Sequence, residues 1–275
     1  MQLNHKPIGI FDSGVGGLTV YSAIRHRFPN ENLIYFGDTA RVPYGPKSKN
    51  AVIEYSVQNS RFLYSSNVKL IVVACNTSSA VALTKLRELF DIPIIGVLEP
   101  GAQEAVRVGK NGRIGIIGTE GTLNSQAYPK EIQKIDPSIK TYSASCPLFV
   151  PLAEEGWEEH AVAETIAQEY LKPLLSENID TLVLGCTHYP ILKKVIQKVV
   201  GDNVTLVDSA EVVSRYLDNY LKLSSTKLED QDIAIGKDYF YVSDNEEKFR
   251  KIATRILNRE IGDIVKLKLA ESWFA

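Results

Sequence analysis

Two cysteines occupy matching settings in the sequence. Cys75 lies in VVACNTSSA and Cys186 in LVLGCTHYP, so each follows an apolar run and precedes polar residues. A helix that starts after such a run presents its N–H groups and the positive end of its dipole to the sulfur, which stabilises a thiolate. An ordinary thiol has a pKa near 8.5, so holding the thiolate at pH 7 costs about 2 kcal/mol, within reach of that environment. Each cysteine is therefore a candidate acid or base.

Two thiols on opposite sides of one bound molecule would carry out a defined reaction. One thiol could remove a proton while the other returns one, which inverts a stereocentre. Because helix starts also favour a substrate carboxylate, the predicted reaction is proton abstraction α to a carboxylate. The alternative for either cysteine is a structural role, since free cysteine is among the most buried residue types. Cys146, in SASCPLFVP, has no polar successor and is predicted to be structural.

Three more polar residues are candidates for the same chemistry. Asp12 opens DSGVGG after an apolar run and could assist a base, or could only cap a helix or form an Asx-turn. His188, two residues after Cys186, could tune that thiol or relay a proton, or could bond to a backbone carbonyl. Glu154 is the acidic residue of EEGWEE closest to the apolar FVPLA segment, so it is expected to turn inward. Trp157, in the same run, gives no guidance.

Two binding functions are weaker interpretations of these segments. A Gly-rich loop at a helix start can bind phosphate, but DSGVGG lacks the GxxxxGK[ST] pattern. Cys186 and His188 form CxH rather than CxxC, and further ligands would have to come from scattered positions, so no metal site is predicted. The lack of any CxxC also argues against a thioredoxin-like redox role.

The elements that must position these residues alternate between strand and helix patterns. Apolar runs without polar alternation, separated by helical segments, predict parallel strands covered on both faces. Helices are predicted over 50–65, over 78–90 and from Glu246 onward. The predicted strands are IGIF, LIYFG, LIVVA, PIIGV, the start of RIGIIGTEGT, 141–144, TLVLG, VTLVD and 239–242.

The strand patterns repeat along the chain. IGIFDSGVGG aligns with IGIIGTEGT at an offset of 106 residues, and Cys75 aligns with Cys186 at an offset of 111. Similar offsets favour a duplication over a chance match of two common strand patterns. We predict an α/β fold of two similar parallel-sheet domains related by a pseudo-two-fold axis, with the active site in the cleft between them. Residues 1–97 and 209–275 are assigned to the first domain, and 98–208 to the second.

Composition limits the function classes. The 275 residues are 44% hydrophobic and 23% charged, which is typical of one large or two medium globular domains. A formal charge of −2 gives no whole-chain attraction to nucleic acid or an anionic membrane, and no apolar run approaches the ~20 residues of a membrane-spanning helix. Three cysteines do not suit a disulfide framework, and the first residues do not resemble a secretion signal. A cytoplasmic protein without nucleic-acid or membrane partners is expected.

The motifs DSGVGG, PYG, ACNT, EPG, FVPLAEEG and GCTHYP follow one another between Asp12 and Pro190. In these motifs the chain resembles the aspartate/glutamate racemase family over essentially its full length, and the DSG, PYG and EPG segments favour the glutamate branch. The resemblance implies a cofactor-independent enzyme, a homodimer, that interconverts L- and D-glutamate and supplies the D-isomer for peptidoglycan.

The resemblance also assigns roles to residues. It makes Cys75 the acid/base that acts on D-glutamate and Cys186 the one that acts on L-glutamate, with Asp12 and His188 assisting and Glu154 near His188. An amino-acid α-proton is far less acidic than a thiol, so donors to the substrate carboxylate must stabilise the developing charge. The resemblance implies substrate contacts for Asp12, Ser13, Tyr44, Gly45, Asn76, Thr77, Thr119, Thr122, Thr187 and His188.

Two other functions remain open from the sequence. One is a related racemase or decarboxylase for aspartate, hydantoins or a malonate, although the presence of both cysteines argues against a decarboxylase. The other is a non-catalytic protein that binds an amino acid in the same cleft. Entry of solvent deuterium at the α-position of glutamate would distinguish catalysis from binding alone.

Overall fold

Ten parallel strands make up the framework that the computed structural model describes for residues 6–221 and 235–268. Helices of the same chain cover the faces of the two sheets that these strands form. The strands are β1 (Ile8–Asp12), β2 (Leu33–Gly37), β3 (Leu70–Val73), β4 (Ile94–Gly96), β5 (Arg113–Gly118), β6 (Lys140–Ser145), β7 (Thr181–Gly185), β8 (Thr205–Asp208), β9 (Asp238–Val242) and β10 (Ile264–Lys266).

The helices connect these strands. Their bounds are α1 (Leu18–Arg27), α2 (Lys49–Ser65), α3 (Asn76–Val81), α4 (Leu83–Leu89), α5 (Leu98–Val108), α6 (Glu120–Asn124), α7 (Ala127–Ile135), α8 (Phe149–Glu155), α9 (Ala161–Leu175), α10 (Lys193–Val200), α11 (Ser209–Tyr216), α12 (Asp218–Leu221) and α13 (Glu246–Leu257), with a 3₁₀ turn at Tyr189–Leu192. In the described ranges, no helix has the length and apolar character needed to cross a bilayer.

The strand order shows the predicted repeat. The first sheet has the order β10-β9-β2-β1-β3-β4 and the second the order β6-β5-β7-β8, so the arrangement 2-1-3-4 recurs as 6-5-7-8. Every neighbouring pair is parallel. The predicted fold class of two similar parallel-sheet α/β units is therefore confirmed.

Burial explains why the central strands lack polar alternation. All residues of β1 and β7 are buried, because helices cover both faces of each sheet. Ile10 faces one apolar core and Phe11 the core on the other side of the first sheet. In the second sheet, Ile117 and Ile116 divide between two cores in the same way. Each sheet is thus a rigid platform for the residues at its strand ends.

The chain returns to the first sheet near its end. β9 pairs with β2, and β10 pairs with β9, so the predicted strand at 239–242 and the helix from Glu246 are confirmed. The domain assignment stays a prediction, and its residues 1–5, 222–234 and 269–275 lie outside the described residues. The prediction of one helix over 78–90 is wrong, because two helices meet at Ala82 and the first begins at Asn76. The Ser79 hydroxyl in α3 donates to the Val73 carbonyl at 2.9 Å, so this short helix is tied to the end of β3.

Candidate active site

One cavity lies where the carboxyl ends of strands from the two sheets face each other. Cys75, two residues beyond β3, and Cys186, directly after β7, both line it. Asp12, Thr122 and Glu154 are the predicted site residues outside this lining, and they lie behind it. The lining consists of Ser13, Val42, Pro43, Tyr44, Gly45, Cys75, Asn76, Thr77, Thr119, Val150, Gly185, Cys186, Thr187 and His188.

Asp12 connects the two halves of the site. Its carboxylate is fully buried at the end of β1, where Oδ2 accepts from the Gly14 N–H at 2.9 Å and Oδ1 from the Thr187 hydroxyl at 3.3 Å. Burial raises the pKa of Asp12, while the charge of His188 and the N–H groups of Gly14 and Gly17 oppose the rise. Asp12 is thus more than a local turn residue, because one of its partners comes from the second half.

A row of polar groups extends from Cys186 toward the surface. The Cys186 sulfur is 3.8 Å from His188 Nδ1, and His188 Nε2 is 3.3 Å from Glu154 Oε1. Lys248 Nζ then donates to Glu154 Oε2 at 3.0 Å. This row places donors and acceptors alternately, beginning at the sulfur.

The same row holds a proton on His188. Burial opposes the imidazolium, but hydrogen bonds to Cys186 and Glu154 raise the pKa of His188 to about 10. For Glu154, burial favours the neutral acid, but the bonds to His188 and Lys248 lower its pKa to about 2. At neutral pH the imidazolium therefore lies between the sulfur and a carboxylate.

Cys75 has a different environment. Burial, reinforced by the negative charge of Asp12, raises the pKa of Cys75 to about 12, against the bonds from Ser78. The residue two positions after Cys75 is Thr77, whereas the residue two positions after Cys186 is His188. In this structure the two sulfurs differ in their partners, and Cys75 is held as a protonated thiol.

Three threonine hydroxyls form a triangle between the halves of the site. Thr77 is 2.9 Å from Thr119 and 3.2 Å from Thr122 between hydroxyl oxygens, and Thr119 and Thr122 are 3.1 Å apart. The Gly121 N–H donates to the Gly45 carbonyl at 2.9 Å, which holds the PYG loop against α6. The triangle places several hydroxyl donors close together at the cavity, a suitable arrangement for binding a carboxylate.

Sequence reasoning missed the residues that support the lining. The Tyr128 hydroxyl donates to Asn76 Oδ1 at 2.7 Å, although 52 residues separate the two in sequence. The Tyr44 hydroxyl donates to Asp38, and Arg41 Nε binds the same carboxylate at 2.7 Å. The charged residues in GDTARVPYG could have suggested this second contact, whereas no local signal indicates Tyr128.

Cys146 does not line the cavity. It is fully buried in the apolar core that also contains Phe149, Tyr189 and Cys186, and its thiol donates to the Ala144 carbonyl at 3.6 Å. Within 6–221 and 235–268, no three His, Cys, Asp or Glu side chains are grouped as metal ligands. The chemistry that the cavity groups can perform is proton transfer between two sulfurs and a bound carbon acid.

Comparisons with known proteins agree over nearly the whole chain. A model of the Asp/Glu/Hydantoin racemase family matches residues 13–217. A glutamate racemase from Geobacter metallireducens is 49% identical over 264 residues, covering 96% of this chain and 97% of the relative. The structure of a glutamate racemase isoform from Bacillus anthracis has a TM-score of 0.91 at 39% identity, covering 96% and 98% of the two chains. For a Francisella tularensis glutamate racemase in complex with D-glutamate, the TM-score is 0.88 at 38% identity, and the match covers 97% of this chain and 98% of that chain.

The fold and these matches define an enzyme of the isomerase class, an amino-acid racemase. The class predicted from the motifs is confirmed. More narrowly, the chain belongs to the Asp/Glu/Hydantoin racemase family, and relatives at 49% and 45% identity are glutamate racemases.

Proposed function

We propose that this protein interconverts L- and D-glutamate without a cofactor, supplying D-glutamate for peptidoglycan, and that Cys75 and Cys186 are its two bases. The observation that carries this proposal is the shared cavity, in which two sulfurs from equivalent strand ends meet polar residues of both halves. The Francisella tularensis structure in complex with D-glutamate supports the choice of substrate. A homodimer and a cytoplasmic location stay predictions.

In the proposed reaction, the Cys186 thiolate removes the α-proton of L-glutamate. The carbanion then takes a proton from the Cys75 thiol on the opposite face, which yields D-glutamate, and the reverse reaction exchanges the two roles. The protonated His188 beside Cys186 and the raised pKa of Cys75 support this starting distribution of protons. One thiolate and one thiol are what a turnover from L-glutamate requires.

Donors around the cavity are proposed to stabilise the carbanion. A thiolate alone cannot deprotonate so weak an acid, so charge developing on the substrate carboxylate must meet preorganised donors. Ser13, Thr187 and the threonine triangle offer hydroxyls. Within the described chain, Asn76 Nδ2 is buried and has no hydrogen-bond partner. Because Tyr128 holds the other end of that amide, Asn76 is oriented to donate to a ligand.

The cavity is smaller than the proposed substrate. Its volume is about 30 Å³. One water occupies about 10–15 Å³ of cavity volume, so the space suits about two waters rather than an amino acid. Entry of glutamate therefore requires the cleft to widen, and its closure around substrate would exclude water and strengthen the donors.

The function is tested by circular dichroism at a fixed wavelength. We expect L-glutamate and D-glutamate each to lose optical activity with the purified protein and no added cofactor, and both aspartate enantiomers to keep theirs. The reaction in ²H₂O should place deuterium at the α-position of glutamate. Turnover of aspartate alone would assign the protein to a related racemase, and binding of glutamate without deuterium entry would indicate a non-catalytic protein.

A change at Glu154 should alter the pH dependence of racemisation. In Glu154→Gln the neutral amide no longer supports the imidazolium, so the pKa of His188 falls from about 10 toward its ordinary value. The protonated form is then lost at lower pH, and we expect the alkaline limb of kcat/KM to move down by about one pH unit.

The control for this prediction is Glu159→Gln. Glu159 pairs with Lys194 on the surface, where both side chains are largely exposed. We expect its pH–rate profile to match that of the unaltered protein. An unchanged alkaline limb in Glu154→Gln would contradict the role assigned to the His188–Glu154 contact.

A further inference from the structure

Helix α13 is fixed to the first sheet. Phe249, Ile252 and Ala253 are buried in the core that also contains Ile10 of β1. The centroid of the Phe249 ring lies 5.9 Å from the ring centroid of Tyr35 in β2. The apolar face of α13 therefore belongs to the core of the first half of the molecule.

The polar face of α13 contacts the second half. Lys248 Nζ donates to Glu154 Oε2 at 3.0 Å, and Arg255 Nη2 donates to the carbonyls of Ala153 and Glu154 at 2.5 and 2.9 Å. Lys248 and Arg255 are about two turns apart, so their side chains share one helix face. Ala153 is buried in the core that covers the second sheet. Two contacts from the first half thus converge on Glu154.

We propose that Lys248 is a positioning residue for proton transfer at Cys186, because it holds the Glu154 carboxylate in the orientation that accepts from His188. The inference rests on the proposed function, in which His188 assists Cys186. The two carboxylate oxygens have different partners, with His188 Nε2 at 3.3 Å from Oε1 and Lys248 Nζ at 3.0 Å from Oε2. The terminal torsion of a glutamate is broad, so a second partner restricts it.

The burial pattern separates this role from simple stabilisation. The Lys248 side chain is 54% exposed, whereas that of Glu154 is 16% exposed and that of His188 is 4% exposed. Exposed ion pairs add little to folding stability. The contact forms only when α13 and α8 lie against each other, so it links the closed arrangement of the two halves to the group beside Cys186.

The test compares three variants of the full chain. Lys248→Met removes the ammonium and keeps most of the length, Lys248→Arg keeps a donor, and Lys251→Met changes an exposed lysine on the same helix. We expect kcat/KM to fall by up to about fivefold in Lys248→Met, the range of a single exposed pair, and to stay within about twofold in the other two. Thermal unfolding should give the same midpoint for all variants within about 2 °C.

The decisive readout is the isotope effect with α-deuterated substrate. If Lys248 assists proton transfer at Cys186, that proton transfer limits the rate more strongly in Lys248→Met. The isotope effect on kcat/KM should then rise with deuterated L-glutamate and fall with deuterated D-glutamate, whose proton leaves to Cys75. Lys248→Arg should restore both values. A loss caused by misfolding would move the two isotope effects together or not at all.

The outcomes separate the inference from the function on which it rests. If the unaltered protein does not racemise glutamate, the proposed function is overturned. If the unaltered protein is active and Lys248→Met shows the same two isotope effects as Lys251→Met, only the role of Lys248 is overturned.

Discussion

Replacement of Cys75 or Cys186 by alanine is expected to lower kcat/KM for glutamate racemisation by about 10³-fold or more, within the range of a lost general acid or base. Inversion needs one group to remove the α-proton and another to deliver one on the opposite face. Each variant keeps a single sulfur in the cavity, so either the removal or the delivery has no group to perform it. Circular dichroism with each enantiomer measures the loss.

Proton exchange distinguishes the roles of the two sulfurs. Cys75→Ala keeps the Cys186 sulfur, which can still exchange the α-proton of L-glutamate. In ²H₂O this variant should therefore place deuterium in L-glutamate without forming the D-enantiomer. Cys186→Ala should label D-glutamate only. Near-normal turnover in either variant would refute the two-base mechanism, and labelling of the opposite enantiomers would reverse the assignment of the two faces.

Cys146→Ala is the matched control. Cys146 is as buried as the other two cysteines and shares an apolar core with Cys186, but it does not line the cavity. Loss of its sulfur should cost about 1 kcal/mol of stability through a small cavity and leave most of the racemisation. An equal loss of activity in this variant would mean that the effects of the other two replacements come from disturbed packing.

The sequence predicted the strand ends well because their signal is local. Unbroken apolar runs followed by polar residues indicate a buried parallel strand and its carboxyl end, and this pattern located Asp12, Cys75 and Cys186 at one cavity or directly behind it. The repeat at two similar offsets predicted two similar sheets, and the strand orders 2-1-3-4 and 6-5-7-8 agree with it. Each strand-end pattern spans only a few residues, and the repeat is found by comparing two such short segments.

The missed residues depend on contacts between distant parts of the chain. Lys248 is 94 residues from Glu154, and Tyr128 is 52 from Asn76. A lysine in an amphipathic helix and a tyrosine near a helix start are ordinary residues in sequence, and their role exists only once the two halves meet. The break at Ala82 had no Pro or Gly to mark it, so the helix pattern over 78–90 gave no warning.

Gly16→Ala is expected to reduce racemisation by about 10²-fold, because misplacing a catalytic group by about 1 Å can cost that much. A Cβ at this position would lie 2.5 Å from His188 Nδ1 and 2.5 Å from the Thr187 hydroxyl oxygen. Both side chains are buried, so neither can move away without disturbing its own partners, which for His188 are Cys186 and Glu154. The measurement is kcat/KM by circular dichroism.

The same variant distinguishes two explanations of DSGVGG. If the loop were a phosphate cradle, Gly16→Ala would weaken binding of inorganic phosphate and leave racemisation unchanged. If Gly16 is needed because His188 packs closely against it, racemisation falls in Gly16→Ala and the pH–rate profile loses the contribution of His188. Gly262→Ala is the control, since a Cβ there meets nothing within 4 Å. Activity within about twofold of the unaltered protein in Gly16→Ala would show that the His188 position seen here is not required for turnover.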